Sequence, residues 1–370
     1  MKKHLLFLLF ALFLANDFAF GQWAYNSDET CEDPYQIFVR FHIWKRYYYW
    51  FSVNDDGGKV AFAGGNLQYN PSLKLFRFAA NQWEYVDDAD NAILSSSGQK
   101  SSNTQAAATY DGWIDLFGWG TSGFHDNADK ANKYFHPYDI TSKTDISQNN
   151  YYGYGPTGAA QDQQVSIDTN SGVRARYDWG NYNFIREFSY DFYNRKLDST
   201  MYARQVWRTL THNEWNYVIT NRRYVEEGTE ESYTYATIHY DASNTSRSCP
   251  GLILFPDSFF VDSLHLETTT PPFTYGINNS FTTNDIDYSV WSKMDSAGCV
   301  FLPCAGYREG ETLSNTGTAA FYWSAVSADH ANGYTTNFST AGIVTTTQVP
   351  RSRGCAVRLV QDIPASYRKK

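Results

Sequence analysis

The chain has 370 residues, with 30 Lys and Arg against 39 Asp and Glu and a formal net charge of −9, a balance that disfavours nucleic acid and anionic membrane surfaces as partners. Aromatic residues make up 18% of it, with 29 Tyr and 11 Trp but only 3 Met, and rings in such numbers suit either a core or a Tyr-rich contact surface. The cysteine count of 5 is odd, which leaves at least one thiol unpaired, and a chain of this size does not need disulfides for stability.

Met1 to His4 is basic, Leu5 to Leu14 is apolar, and Ala19-Phe20-Gly21 places small residues where a signal peptidase reads. Residues 1–21 are therefore expected to be a secretory signal, with Gln22 as the first mature residue. The apolar run is half the roughly 20 residues needed to span a bilayer. No later stretch is long and apolar enough to be transmembrane, and Cys31 lacks a lipobox. The expected location is extracellular, cell-surface or periplasmic. Removal of Lys2, Lys3 and Asp17 would make the mature chain one unit more negative.

Residues 22–50 form an extension, acidic around Asp28, Glu29, Glu32 and Asp33 and then aromatic and basic from Trp44 to Trp50. From Phe51 onward, Lys59 to Phe62, Leu67 to Tyr69 and Leu75 to Phe78 alternate between turns at Gly64-Gly65-Asn66 and Asn70-Pro71-Ser72, which predicts an antiparallel meander. Ser95 to Thr109 is polar and almost free of large apolar residues, as surface loops or disordered insertions are. Tyr110 to Gly120 and Tyr177 to Asn183 are Gly/Trp-rich segments, in which glycines permit tight turns and rings fill the space around them. Between them, Phe124 to Arg176 is expected to be loop.

Trp207 to Asn221 is the best helix candidate, since Thr211 can cap it, Glu214 completes a capping box, and Trp215, Val218 and Ile219 recur at helical spacing. Gly251 to Pro256, Val300 to Pro303 and Ala356 to Val360 are short apolar runs suited to buried strands. Roughly 310 residues from Phe51 are plausible as one loop-rich domain, here bounded at 51–363, with a basic tail at 364–370.

Several segments then carry a resemblance: Gly65 to Tyr69, Asn81 to Tyr85, the Gly/Trp segment at 111–120, Tyr177 to Gly180, Trp207-Arg208-Thr209-Leu210-Thr211-His212-Asn213-Glu214-Trp215, Phe301 to Arg308, Phe321 to Ala325 and Arg353 to Val360. Their order resembles the formylglycine-generating (sulfatase-modifying factor) branch of the C-type-lectin-like superfamily, in the form of a secreted bacterial paralogue family. The hallmarks of that branch are a Trp-Arg-Leu-Pro-Thr-x-x-Glu-Trp helix start, an aromatic Trp-Ser or Trp-Glu strand and a closing Gly-Phe-Arg-Leu-Val strand. Leu210 stands where its Pro would be. The resemblance implies an α+β, C-type-lectin-like fold, loop-rich, with short antiparallel strands and few helices.

It also raises copper-dependent oxidation, which in that branch uses two closely spaced cysteines after the Trp-Ser strand; soft thiolates suit Cu(I). Here Cys299 and Cys304 precede Tyr322-Trp323, and Ala331 to Thr340 has no cysteine. If 299–304 is extended, their odd separation also puts them on opposite faces. The eight His residues lack zinc-protease spacing, no Gly-x-Ser-x-Gly elbow or phosphate loop occurs, and the Asp87-Asp88 and Glu226-Glu227 pairs look like solvated charge. The calcium-sharing motifs of sugar-binding C-type lectins are absent as well, so no cofactor is required, although a structural calcium on loop oxygens is compatible with the sequence. The expectation is a non-catalytic extracellular protein that binds a glycan or a cell-surface protein. Its ligand face would lie between the Trp-Ser strand and the closing strand, on Tyr322, Trp323, Asp329, His330, Asn332, Tyr334, Asn337, Arg351 and Arg353. The alternative is a structural or adhesin component of a cell-surface assembly.

Overall fold

A computed structural model describes residues 49–70, 75–79, 81–85, 113–119, 178–182, 189–191, 196–198, 207–222, 232–243, 246–259, 264, 273, 280–309, 312–329, 332–351 and 353–364. These lie in one compact unit, Ile43–Lys370. The expected signal, most of the 22–50 extension, the polar stretch at 95–109, the loop at 124–176 and His330 lie outside the described residues.

The first part of the chain supplies β1 (Phe51–Ser52), β2 (Lys59–Phe62), β3 (Leu67–Asn70), β4 (Leu75–Phe78), β5 (Leu116–Phe117), α1 (Trp179–Tyr182), β6 (Ser189–Asp191), β7 (Lys196–Asp198) and β8 (Trp207–Thr209). Next come α2 (His212–Asn216), which continues as a π-type turn over Tyr217–Asn221, then β9 (Tyr233–His239), β10 (Ser248–Leu254), β11 (Asp285–Ile286), α3 (Tyr288–Ser296) and β12 (Val300–Pro303). The last part holds β13 (Tyr307–Glu309), β14 (Thr312–Ser314), β15 (Ala319–Ser327), β16 (Asn332–Ser339), β17 (Gly342–Pro350), β18 (Cys355–Ala356) and β19 (Leu359–Asp362). The described architecture is thus loop-rich and mostly β, with short helices. No described helix is long and apolar enough to cross a membrane.

The strands do not follow one another as a meander. β1 and β2 form a hairpin and β3 and β4 another, but the second neighbour of β2 is β19, giving the order β1-β2-β19-β8. Val60 faces Asp362 and Phe62 faces Val360 across this pairing. Alternation of apolar residues reports a strand and its buried face, not its partner, so local pattern could not reveal a pairing with the far end of the domain. A second sheet runs β11-β9-β10-β12, and a third runs β17-β16-β15-β18-β5.

β15 explains how the interior is divided. Successive side chains on a strand point to opposite faces, and here both faces are covered: Tyr322 packs in one hydrophobic cluster with Trp215, Tyr235 and Phe338, whereas Trp323 packs in the other with Trp119, Trp179 and Val349. Both rings are fully buried. Gly333 on β16 is required by this arrangement, because a Cβ there would sit 2.7 Å from the Trp323 ring and 2.9 Å from that of Trp119. Much of the aromatic richness is therefore structural, with Trp119, Trp179, Trp215, Trp291 and Trp323 all fully buried.

Candidate functional site

The segment expected to start a helix at Trp207 instead begins as strand β8, paired to β19, and turns into α2 only after Leu210. Thr211 is extended, with φ −68 and ψ 162. Its hydroxyl accepts from the Glu214 amide at 3.2 Å, and Glu214 Oε2 accepts from the Thr211 amide at 2.8 Å, so the capping box read from the sequence is formed. Arg208 braces it: its guanidinium donates to both Glu214 oxygens at 2.7 and 2.8 Å and to both Asp362 oxygens at 2.8 and 3.0 Å. Burial opposes the charge on Arg208, but the two carboxylates outweigh it and push its pKa up. The helix start is in this way tied to the closing strand.

α2 then lies on the sheet edge formed by β16 and β17. The His212 ring meets the Tyr334 ring at a centroid distance of 4.6 Å, Thr345 Oγ1 donates to Asn216 Oδ1 at 2.7 Å, and below them the Trp215 indole N–H donates to the Trp323 carbonyl at 3.3 Å. Partial burial lowers the pKa of His212, and its Nδ1 is buried without a hydrogen-bond partner. The solvent side of this junction carries half-buried His212, Asn216 and Tyr334 and exposed Asn213 and Thr346.

The predicted ligand residues among the described ones separate into five groups. Tyr322 and Trp323 are core residues and cannot contribute to a recognition face: the Tyr322 hydroxyl is committed inward to Asn66 Oδ1 and the Pro303 carbonyl, both at 3.3 Å, and the Trp323 indole N–H to the Phe117 carbonyl at 2.5 Å. Arg351 is also buried, stacked 4.2 Å from the Trp119 ring centroid and donating to the Asp329 and Asn332 carbonyls at 2.6 and 3.4 Å. Asp329 and Asn332 are half-buried and spend their polar groups on each other, with Asp329 Oδ1 accepting from the Asn332 amide at 2.7 Å. Together these three lock the turn between β15 and β16, a structural use. Arg353 lies elsewhere, 4.2 Å from the Tyr307 ring centroid and paired with Glu309. Asn337 is three residues beyond Tyr334 on β16 and so points to the opposite sheet face, opposite Phe321, where its Oδ1 accepts from Thr347 Oγ1 at 2.6 Å. Tyr334 alone remains at the α2 junction. His212 and Asn216 were missed as surface residues of this face, because a helix pattern does not state which sheet edge its polar side will border.

The copper ligands that the resemblance would require do not fit these residues. Cys299 and Cys304 are buried thiols, and burial raises both pKa values well above the ordinary range, away from thiolate. Their settings differ: Asp295 and Arg222 act on Cys299, whereas Cys249 neighbours Cys304. Among the described residues no three His, Cys, Asp or Glu side chains converge as metal ligands would. Comparison of the chain with protein-family models, curated proteins and solved structures found no match.

Proposed function

We propose that the chain is a non-catalytic, exported binding protein on a C-type-lectin-like scaffold of the formylglycine-generating-enzyme type, and that it holds a glycan or protein ligand on the solvent side of α2, β16 and β17. The fold reading is supported by the order of the motifs and by the uses found for them: Thr211 and Glu214 start a helix, Tyr322-Trp323 forms the dividing strand, and Arg358 to Val360 leads into the closing strand beside β2. The binding reading rests on one observation, the cluster of His212, Asn216 and Tyr334 on a rigidly braced framework. Binding residues are commonly displayed in this way, as adaptable polar and aromatic side chains on a fixed scaffold.

The test is a glycan array and a cell-surface protein pull-down with the mature protein and with a His212→Ala/Tyr334→Ala variant. Defined partners lost by a folded variant would support the reading. Partners retained unchanged would refute this face.

A second reading, a component of a cell-surface assembly, is favoured by β17. It is an edge strand of nine residues without a charged side chain, and Val344 on it is 52% exposed. Edges of that kind usually carry charges or prolines along their length against pairing with another chain, whereas the proline of β17 stands only at its end, at Pro350. If β17 mediates assembly, Val344→Lys will shift the protein to a smaller species in light scattering, whereas an unchanged mass would remove that reading.

A further inference from the structure

On another part of the surface, three rings from distant parts of the chain meet. Trp83 stacks on Tyr240 at 5.8 Å with an interplanar angle of 16°, and Tyr288 stands against Trp83 at 6.2 Å and 75°. Trp83 and Tyr240 are half-buried, and Tyr288 is 40% exposed, the most exposed aromatic ring among the described residues. Neither the Trp83 indole N–H nor the Tyr288 hydroxyl is hydrogen-bonded to another described residue. We infer that Trp83, Tyr240 and Tyr288 form a carbohydrate subsite for a neutral pyranose, separate from the α2–β17 face.

The rings are fixed in place before any ligand arrives. Gln82, next to Trp83, is buried and donates to Asp295 Oδ1 at 2.7 Å and to the Cys299 carbonyl at 3.0 Å, while its own Oε1 accepts from the Phe301 amide at 2.8 Å. These bonds hold the Trp83 segment against α3 and β12. Tyr288 is the first residue of α3, and the Asp287 side chain caps that helix by accepting from the Val290 amide at 3.0 Å. Tyr240 directly follows β9, where its amide donates to the Arg247 carbonyl at 3.1 Å. Rings held in this way lose little freedom on binding, and preorganisation of that kind favours affinity.

The arrangement selects among ligands. Trp83 lies nearly parallel to Tyr240 with centroids only 5.8 Å apart, which leaves no room between them for a methylammonium group, and Tyr288 stands edge-on to Trp83 with its ring the most exposed of the three. The C–H face of a pyranose is apolar and slightly positive and complements the negative face of an aromatic ring. Its hydroxyls find a donor in the Trp83 N–H, a donor and acceptor in the Tyr288 hydroxyl, and an exposed carboxylate acceptor at Asp287, the residue before it. Asp241, paired with Arg247, directly follows Tyr240, Glu84 directly follows Trp83 and Asp287 directly precedes Tyr288, and this excess of carboxylates beside the rings disfavours uronic or sialic acids.

The experiment is titration of the full mature chain with chitotetraose, cellotetraose and mannotetraose, with sialyllactose as the anionic comparison, monitored by ligand-observed NMR. At least one neutral tetrasaccharide is expected to bind, sialyllactose to bind at least tenfold more weakly, Tyr288→Ala to weaken binding at least tenfold, and Tyr288→Phe to stay within about threefold, since the ring face is kept. Tyr334→Ala, on the other face, should leave this binding unchanged. Absence of binding by all three neutral sugars, or an unaltered affinity in Tyr288→Ala, overturns the inference. Loss in Tyr334→Ala with retention in Tyr288→Ala would instead assign the sugar to the α2–β17 face.

Discussion

Arg222 carries a charge into the interior and is neutralised by Asp257, which makes this pair the most consequential polar contact of the first sheet. The guanidinium donates to Asp257 at 3.1 Å and to the Phe255 and Ser232 carbonyls, and lies 4.8 Å from the Phe51 ring centroid. Asp257 also accepts from the Ser52 hydroxyl at 2.6 Å and from Lys59 at 3.2 Å. Burial lowers the Arg222 pKa, but arginine starts so high that it stays protonated at every accessible pH. Burial pushes the Asp257 carboxyl up, and Arg222, Ser52 and Lys59 more than offset that, holding it below its ordinary value. Its contribution to stability is therefore complete above about pH 4 and is lost as pH falls through the folded pKa. Asp257→Asn should flatten that acid limb and cost about 3 kcal/mol by leaving the buried guanidinium without its counter-charge, as read from urea midpoints across pH. His212 adds an earlier limb. Its pKa is depressed by burial, so the folded state takes up its proton less readily than the unfolded chain, and stability drops as pH falls below about 6.5. His212→Phe, which keeps a ring against Tyr334, should remove that dependence between pH 5 and 7.

At the level of elements, local chemistry was the legible part. The capping box at Thr211 and Glu214 depends on residues three apart, so the sequence specifies it directly, and the apolar runs at 251–256 and 300–303 fall in β10 and β12. Thr211→Ala should cost about 1 kcal/mol in urea unfolding, with the loss concentrated in hydrogen-exchange protection of α2. The start of the motif was misread as helix because Trp207-Arg208-Thr209 takes its strand conformation from β19, a partner that sequence spacing does not encode. The same limit applies to Tyr322 and Trp323: the resemblance placed them on a ligand face, but the strand that carries them is covered on both faces. Gly306 marks another element boundary. Its φ is +65 and a Cβ would sit 2.2 Å from the Ser314 carbonyl oxygen, a contact with backbone that cannot yield cheaply. Gly306→Ala is therefore expected to destabilise the β13–β14 hairpin by more than the 1 kcal/mol or so that ordinary glycine replacements cost.

For the whole molecule, the two clusters on either side of β15 stand or fall together. Trp323→Ala and Tyr322→Ala empty opposite clusters, and each should cost about 3–5 kcal/mol within one cooperative transition, because the same strand supports both. Near-ultraviolet dichroism and intrinsic fluorescence should consequently report coincident midpoints in either variant; separate midpoints would show that the clusters unfold independently. Any binding lost in these variants would report unfolding, not a contact, which is why they are unsuitable for mapping the ligand face. The expectation of export has its own check at this scale: N-terminal sequencing of the protein recovered outside the cytoplasm should begin at Gln22.

The pairing of β2 with β19 has a consequence for how the molecule comes into being. Lys59 to Phe62 are made about 300 residues before the strand that completes their sheet, and β18, which joins β15 to β5, is made only just before that strand. Order of synthesis and order of assembly are thus opposed: an unfinished chain can form the β9–β10 and β15–β17 ribbons but has no means of closing either large sheet around them. A product that stops before residue 355 keeps the apolar edges of both sheets uncovered, so incompleteness at the carboxyl end becomes visible to proteases and chaperones over the entire domain.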